Sequence, residues 1–136
     1  MFRPLLAVSC LTASLGAAPV DFAHEVVPLL KKHCGECHSG DARQGGFSMN
    51  TREDLLAGGD SGTPGFVAGK AAESEIIARI TSTDPDLVMP PPHAKATLRE
   101  DERQILRDWI ASGAEYRAHW AFVKPERPPV PADDGD

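Results

Sequence analysis

The sequence predicts an all-α domain of three to four short helices joined by long loops. Apolar residues recur at helical spacing in separate short segments. Twelve glycines and twelve prolines in 136 residues favour loops and short elements. Pro85, Pro90, Pro91 and Pro92 exclude both a helix and a central strand over residues 82–96.

Asp21 caps the first helix, in which Phe22, Val26, Leu29 and Leu30 fall near a 3.6-residue period. Pro28 should kink this helix or split it in two, because it lacks an N–H and crowds the preceding turn. The helix runs directly into Cys34-Gly35-Glu36-Cys37-His38, and a loop with Gly40, Gly45 and Gly46 follows. Thr51-Arg52-Glu53-Asp54 resembles a capping box, opening a helix through Leu55 and Leu56 that Gly58-Gly59 stops. Residues 60–70 read as loop. Residues 73–81 read as a helix with Ile76, Ile77 and Ile80 on one face. The last helix spans about 99–111, with Glu102, Ile105, Leu106, Trp109 and Ile110 at i, i+3 and i+4 spacings, and Gly113 ends it.

The length suits one domain with short tails. Met1-Phe2-Arg3 followed by apolar residues 5–18, ending in Gly16-Ala17-Ala18, reads as an export signal. The apolar stretch is shorter than the roughly 20 residues a bilayer span takes. The division is then a signal over 1–18, a domain over 19–118 and a Pro-rich tail or linker over 119–136. Cys10 also allows a lipoprotein reading, with a very short apolar stretch before it. Removing the signal leaves Cys34 and Cys37 as the only thiols. A formal charge of −6 without a Lys/Arg cluster argues against nucleic acid as partner and suits a basic protein. The acidic runs at Glu100-Asp101-Glu102 and Asp133-Asp134 read as a solvated helix start and a chain end.

Cys34-Gly35-Glu36-Cys37-His38 is C-x-x-C-H, the attachment signature of c-type haem. Two thiols at this spacing can each reach a vinyl group on one edge of the macrocycle, and the adjacent His38 can give a nitrogen to the iron. A thioredoxin-like pair would want a βαβ pattern, and a zinc site a second Cys or His pair; neither is visible. The composition also wants a filler. With two Trp, one Tyr and five Phe, the apolar core is thin, and a large flat cofactor would complete it.

A sixth ligand is needed to close the iron. Met89 leads, 51 residues after His38 in Val88-Met89-Pro90-Pro91-Pro92, where prolines stiffen a ligand loop. His93 is the main rival, with His24 and His119 behind it; Met49 lies within the glycine-rich loop. His33, directly before Cys34, reads as solvent-facing. Residues 64–71 superficially suggest a phosphate loop, but Pro64 and Ala71 stand where a glycine and a hydroxyl are required.

With these residues in place, the chain resembles the planctomycete-type cytochrome c domain, a class I-like family. The likeness runs through Val20-Asp21-Phe22, Val27-Pro28-Leu29-Leu30, the haem motif and Gly46-Phe47-Ser48-Met49-Asn50-Thr51-Arg52. It continues through Val67-Ala68-Gly69-Lys70, Met89-Pro90-Pro91-Pro92, Trp109-Ile110-Ala111-Ser112-Gly113-Ala114 and His119-Trp120-Ala121-Phe122. It implies a small cytochrome c-like fold around one covalent haem c, with His38 and Met89 as axial ligands. It also implies a place at the start of much longer exported proteins, and the Pro-rich tail looks like the beginning of such a connection. Ser39 and Arg99 depart from the family pattern, Arg99 because a Thr or Ser cap usually opens the last helix.

The leading function is an exported, periplasmic or cell-envelope carrier of single electrons, not an enzyme, serving an unidentified redox protein. The alternative is a haem enzyme or a gas or redox sensor with a displaceable sixth ligand, for which His93 is the nearby acid–base candidate. A third reading gives the haem a purely structural role.

Overall fold

The computed structural model describes residues 20–95 and 97–116. The expected signal, His119 and the Pro-rich tail lie outside the described residues. The Asp21 carboxylate accepts the N–H groups of Ala23 (2.9 Å) and His24 (3.1 Å), the expected N-cap. A wide π-type turn, Phe22–Val26, leads into α1, Val27–His33. The split falls where Pro28 demands it. The proline cannot donate to the carbonyl four residues back and its ring crowds that position, and the Val27 N–H reaches five residues back to the Phe22 carbonyl.

The C-x-x-C-H motif coils into its own one-turn helix, α2, Gly35–His38, built on the Cys34 carbonyl. That carbonyl accepts the N–H groups of Cys37 (3.2 Å) and His38 (3.1 Å). The described residues therefore hold five α-helices and no strand, one helix more than the upper expectation. In α3, Arg52–Ala57, Thr51 Oγ1 caps the Asp54 N–H at 3.0 Å, while the Asp54 carboxylate turns to the Ser48 hydroxyl, also at 3.0 Å. Gly58, at φ +85°, ends it in a conformation that side chains resist.

Helix α4, Glu75–Thr81, begins later than its periodicity suggests, because Ala71–Glu73 forms a 3-10 turn ahead of it. Between them Ser74 is buried; its hydroxyl accepts the Val67 N–H (2.8 Å) and donates to the Lys70 carbonyl (3.0 Å). Helix α5, Glu100–Ala111, is the longest. Arg99 offers no acceptor for a cap, and Glu102 supplies the missing bond by accepting the Arg99 N–H at 2.9 Å.

The first segment packs on the last. Phe22, Val26 and Leu30 join Leu106, Trp109 and Ile110, with Leu55, Phe66, Ile76, Ile77, Ile80 and Leu98 completing the core. The Phe22 and Trp109 rings lie 5.2 Å apart, and Phe66 meets Trp109 edge-on at 5.1 Å.

Two expectations fail where α1 meets the start of α5. The sequence places His33 in solvent, yet its side chain is 0 % exposed. It also reads residues 100–102 as a solvated run, yet only Glu100 and Asp101 are exposed. The Glu102 side chain, 4 % exposed, accepts Lys32 Nζ at 3.1 Å, faces His33 Nε2 at 3.3 Å and lies 3.4 Å from Arg99 Nη1. The reason is periodicity. His33 lies three residues beyond Leu30 and seven beyond Val26, and Glu102 four before Leu106, so both fall on buried faces.

The Arg99 N–H, followed by Lys32 and His33, outweighs burial and holds the Glu102 carboxyl down at about 2, against an ordinary 4.5. A depressed carboxyl pKa contributes stability above pH 4.5 that is lost as the pH falls toward 2. The urea midpoint should therefore fall through that window, and Glu102→Gln should flatten this acid limb. An acid limb unchanged in the variant would contradict the pairing.

Candidate functional site

A cavity of about 640 Å³ opens between α1–α2, α4 and the loops around them. Its size lies within the roughly 300–1,000 Å³ of cofactor sites. Cys34, Cys37, His38 and Met89 all line it, although Met89 is 51 residues from His38 in the chain. Ile76, Ile80 and Phe47 supply apolar surface, and Arg79, Glu75, Lys32 and Lys95 supply charge.

His38 is held from both sides. Its Nδ1 lies 3.3 Å from the Phe47 carbonyl, to which it donates, and the two rings meet edge to face at 5.1 Å. Its own carbonyl accepts the Met49 N–H at 2.7 Å. A proton fixed on Nδ1 leaves Nε2 with a lone pair, the form in which an imidazole ligates a metal. Cys34 and Cys37 are free thiols. Burial, with Cys37 adding to it, pushes the Cys34 thiol up to about 11, so that it stays protonated at neutral pH.

Met89 follows a turn in which the N–H groups of Leu87 (3.1 Å) and Val88 (2.8 Å) bond to the Asp84 carbonyl. Its own N–H donates to the Arg79 carbonyl at 3.1 Å, tying the proline loop to α4. The Met89–Pro90 peptide is cis. At the cavity, Lys95 Nζ approaches the carboxylate of Glu36, within the C-x-x-C-H motif, at 3.6 Å. Both side chains are exposed, so the pair adds little.

Among the rivals, His93 also lines the cavity. His24 is exposed at the chain's entry, its Nδ1 2.9 Å from Asp21 Oδ2. Met49 packs against the core. The cavity thus gathers the two cysteines, His38, Met89 and His93.

Residues that the sequence assigned no part in the site also shape the wall. Residues 64–71 carry no phosphate-loop pattern, but Gly65 there lets the backbone pass close to Phe47. A Cβ at Gly65 would overlap the Leu55 carbonyl and press the Phe47 ring. Gly59 is as tight against the Gly45 carbonyl. Close approach of two backbones is a tertiary fact, and no local pattern announces it. Gly65→Ala should cost about 1–3 kcal/mol of stability by overpacking, read from denaturant unfolding. An unchanged midpoint would show that this wall yields freely.

The donor set suits a haem c: two thiols at C-x-x-C spacing, an imidazole with Nε2 available, a thioether, and an apolar cavity of cofactor size. Among the described residues, no helix is long and apolar enough to cross a membrane. The family described as Planctomycete cytochrome C matches residues 34–93, from the first motif cysteine to His93. No curated protein and no solved structure matches the chain.

Proposed function

Starting from a planctomycete cytochrome C domain over residues 34–93, we propose that this chain is an exported carrier of single electrons holding one haem c. The family match supports haem binding and electron transfer. The single haem, its ligands and the destination are our reading. The observation that carries it is the meeting of Cys34, Cys37, His38 and Met89 on one cavity.

Cys34 and Cys37 would hold the haem through thioethers, with His38 and Met89 as axial ligands. Bound there, the haem supplies an Fe³⁺/Fe²⁺ couple, and a His/Met pair raises its potential relative to His/His. The Phe47 carbonyl keeps the His38 proton on Nδ1 and orients the ring. Ile76, Ile80 and Phe47 give the cavity apolar walls against which a macrocycle would pack. The Arg79 carbonyl anchors the Met89 backbone, so the thioether is presented by a braced loop. Residues 1–18 support export to the periplasm or cell envelope, and a charge of −6 suits a basic redox partner. The Pro-rich tail supports a link to a further domain.

A second reading, a haem enzyme or sensor with a displaceable sixth ligand, is favoured by His93 on the same cavity. Co-expression with haem-attachment machinery separates the two. The carrier should show a six-coordinate low-spin spectrum in both redox states and a haem stain that survives denaturation. Cys34→Ala/Cys37→Ala should lose the stain. Met89→Ala should open the sixth position to added imidazole or carbon monoxide. A five-coordinate wild-type iron would favour the sensor, and a colourless, iron-free mature chain would end both readings.

A further inference from the structure

His33 and Glu102 lie where the first helix, the attachment turn and the last helix meet, and the carrier reading uses neither. The His33 ring is fully buried, and His33 is one of the residues bordering the cavity. Neither of its nitrogens makes an aligned hydrogen bond; Nε2 faces Glu102 Oε2 at 3.3 Å. Its helical position suits a leucine, so a polar ring there carries a desolvation cost that only the carboxylate offsets. Glu102 is likewise buried beyond what a cap requires. A capping glutamate can serve from the surface, but this one sits beneath Lys32 and Arg99.

We propose that the buried His33–Glu102 pair is a positioning device for Cys34, holding its sulfur in place for thioether formation. This rests on the haem c reading above. In that reaction the Cys34 S–H adds across a vinyl group. The S–H and the C=C π bonds break, the sulfur bonds one vinyl carbon, and the thiol proton ends on the other. The step is redox-neutral, so placement is what the protein must supply. Cys37 is placed by its own turn, through its N–H to the Cys34 carbonyl. Cys34 is not, because its backbone (φ −122°, ψ −24°) leaves the helical well at the junction of α1 and α2. Its position depends on the end of α1, fixed by the Cys34 N–H to the Leu30 carbonyl at 2.9 Å and by the His33 ring against α5. Glu102 thus ties the first thioether site to the last helix.

The test compares matured wild type, Glu102→Gln, Glu102→Asp, His33→Leu and, as control, Glu100→Gln. Glu100 is an exposed acid of the same turn, paired with Arg103 and Arg107. Peptide mass spectrometry locates each thioether, and the reduced pyridine haemochrome reports any unreacted vinyl as a red shift of its α band. The expected result is selective loss of the Cys34 bond in Glu102→Gln and His33→Leu, partial recovery in Glu102→Asp, and wild-type attachment in Glu100→Gln. If Glu102→Gln gives no folded protein, His33→Leu decides alone, since it leaves Lys32 and Arg99 paired. Two intact thioethers in the variants, or equal loss of both, would overturn the proposal while leaving the carrier reading standing. A haem-free wild type would instead remove the carrier reading.

Discussion

The packing of the Phe22–Val26 turn against α5 is the constraint on which the rest of the structure depends. Phe22, Trp109 and the fully buried Val26 and Ile110 bring the two ends of the described chain together. Everything between them is thereby strung as short helices and loops around a space that its own side chains do not fill. That space measures about 640 Å³. Water is a poor filler beside Ile76, Ile80 and Phe47. A rigid, flat, largely apolar group bonded to the chain is a good one, and that is the physical case for haem at the centre of this fold.

Polar groups around the cavity are arranged to hold donors still. The Phe47 carbonyl fixes a ring, the Arg79 carbonyl a loop, and the Glu102 carboxylate the end of a helix. The three anchors differ in kind. Backbone carbonyls orient His38 and Met89 at little desolvation cost, because each is a group that must find a partner in any case. Glu102 is an ionised side chain in the interior, tolerable only because positive charge and a backbone N–H surround it. Such a residue makes the junction of the two helices sensitive to acid.

Much of this was legible in the sequence, for reasons that differ by residue. The C-x-x-C-H motif was legible because it is a local signature whose spacing is complete within five residues. Asp21, Thr51 and Gly58 were legible because helix ends are local: a side chain or a positive φ satisfies groups within a turn of itself. Met89 stood out through its prolines, and it lines the same cavity as His38. The start of α4 was not legible, since Ser74 turns its hydroxyl to the Val67 and Lys70 backbone and a 3-10 turn takes the residues before it. His33 was misplaced by reading it only as the residue before Cys34, when its spacing from Val26 and Leu30 turns it inward. Glu102 was counted with the acidic neighbours of its turn, although it also sat on the apolar stripe of α5. The close approaches at Gly59 and Gly65 carry no local signal, because what they accommodate comes from elsewhere in the chain.

The most direct measurement is X-ray absorption at the iron edge of the matured protein. One sulfur and five nitrogens around iron are expected, with the sulfur lost in Met89→Ala. An iron surrounded only by nitrogen or oxygen in the wild type, or no iron at all, would contradict a haem held between His38 and Met89.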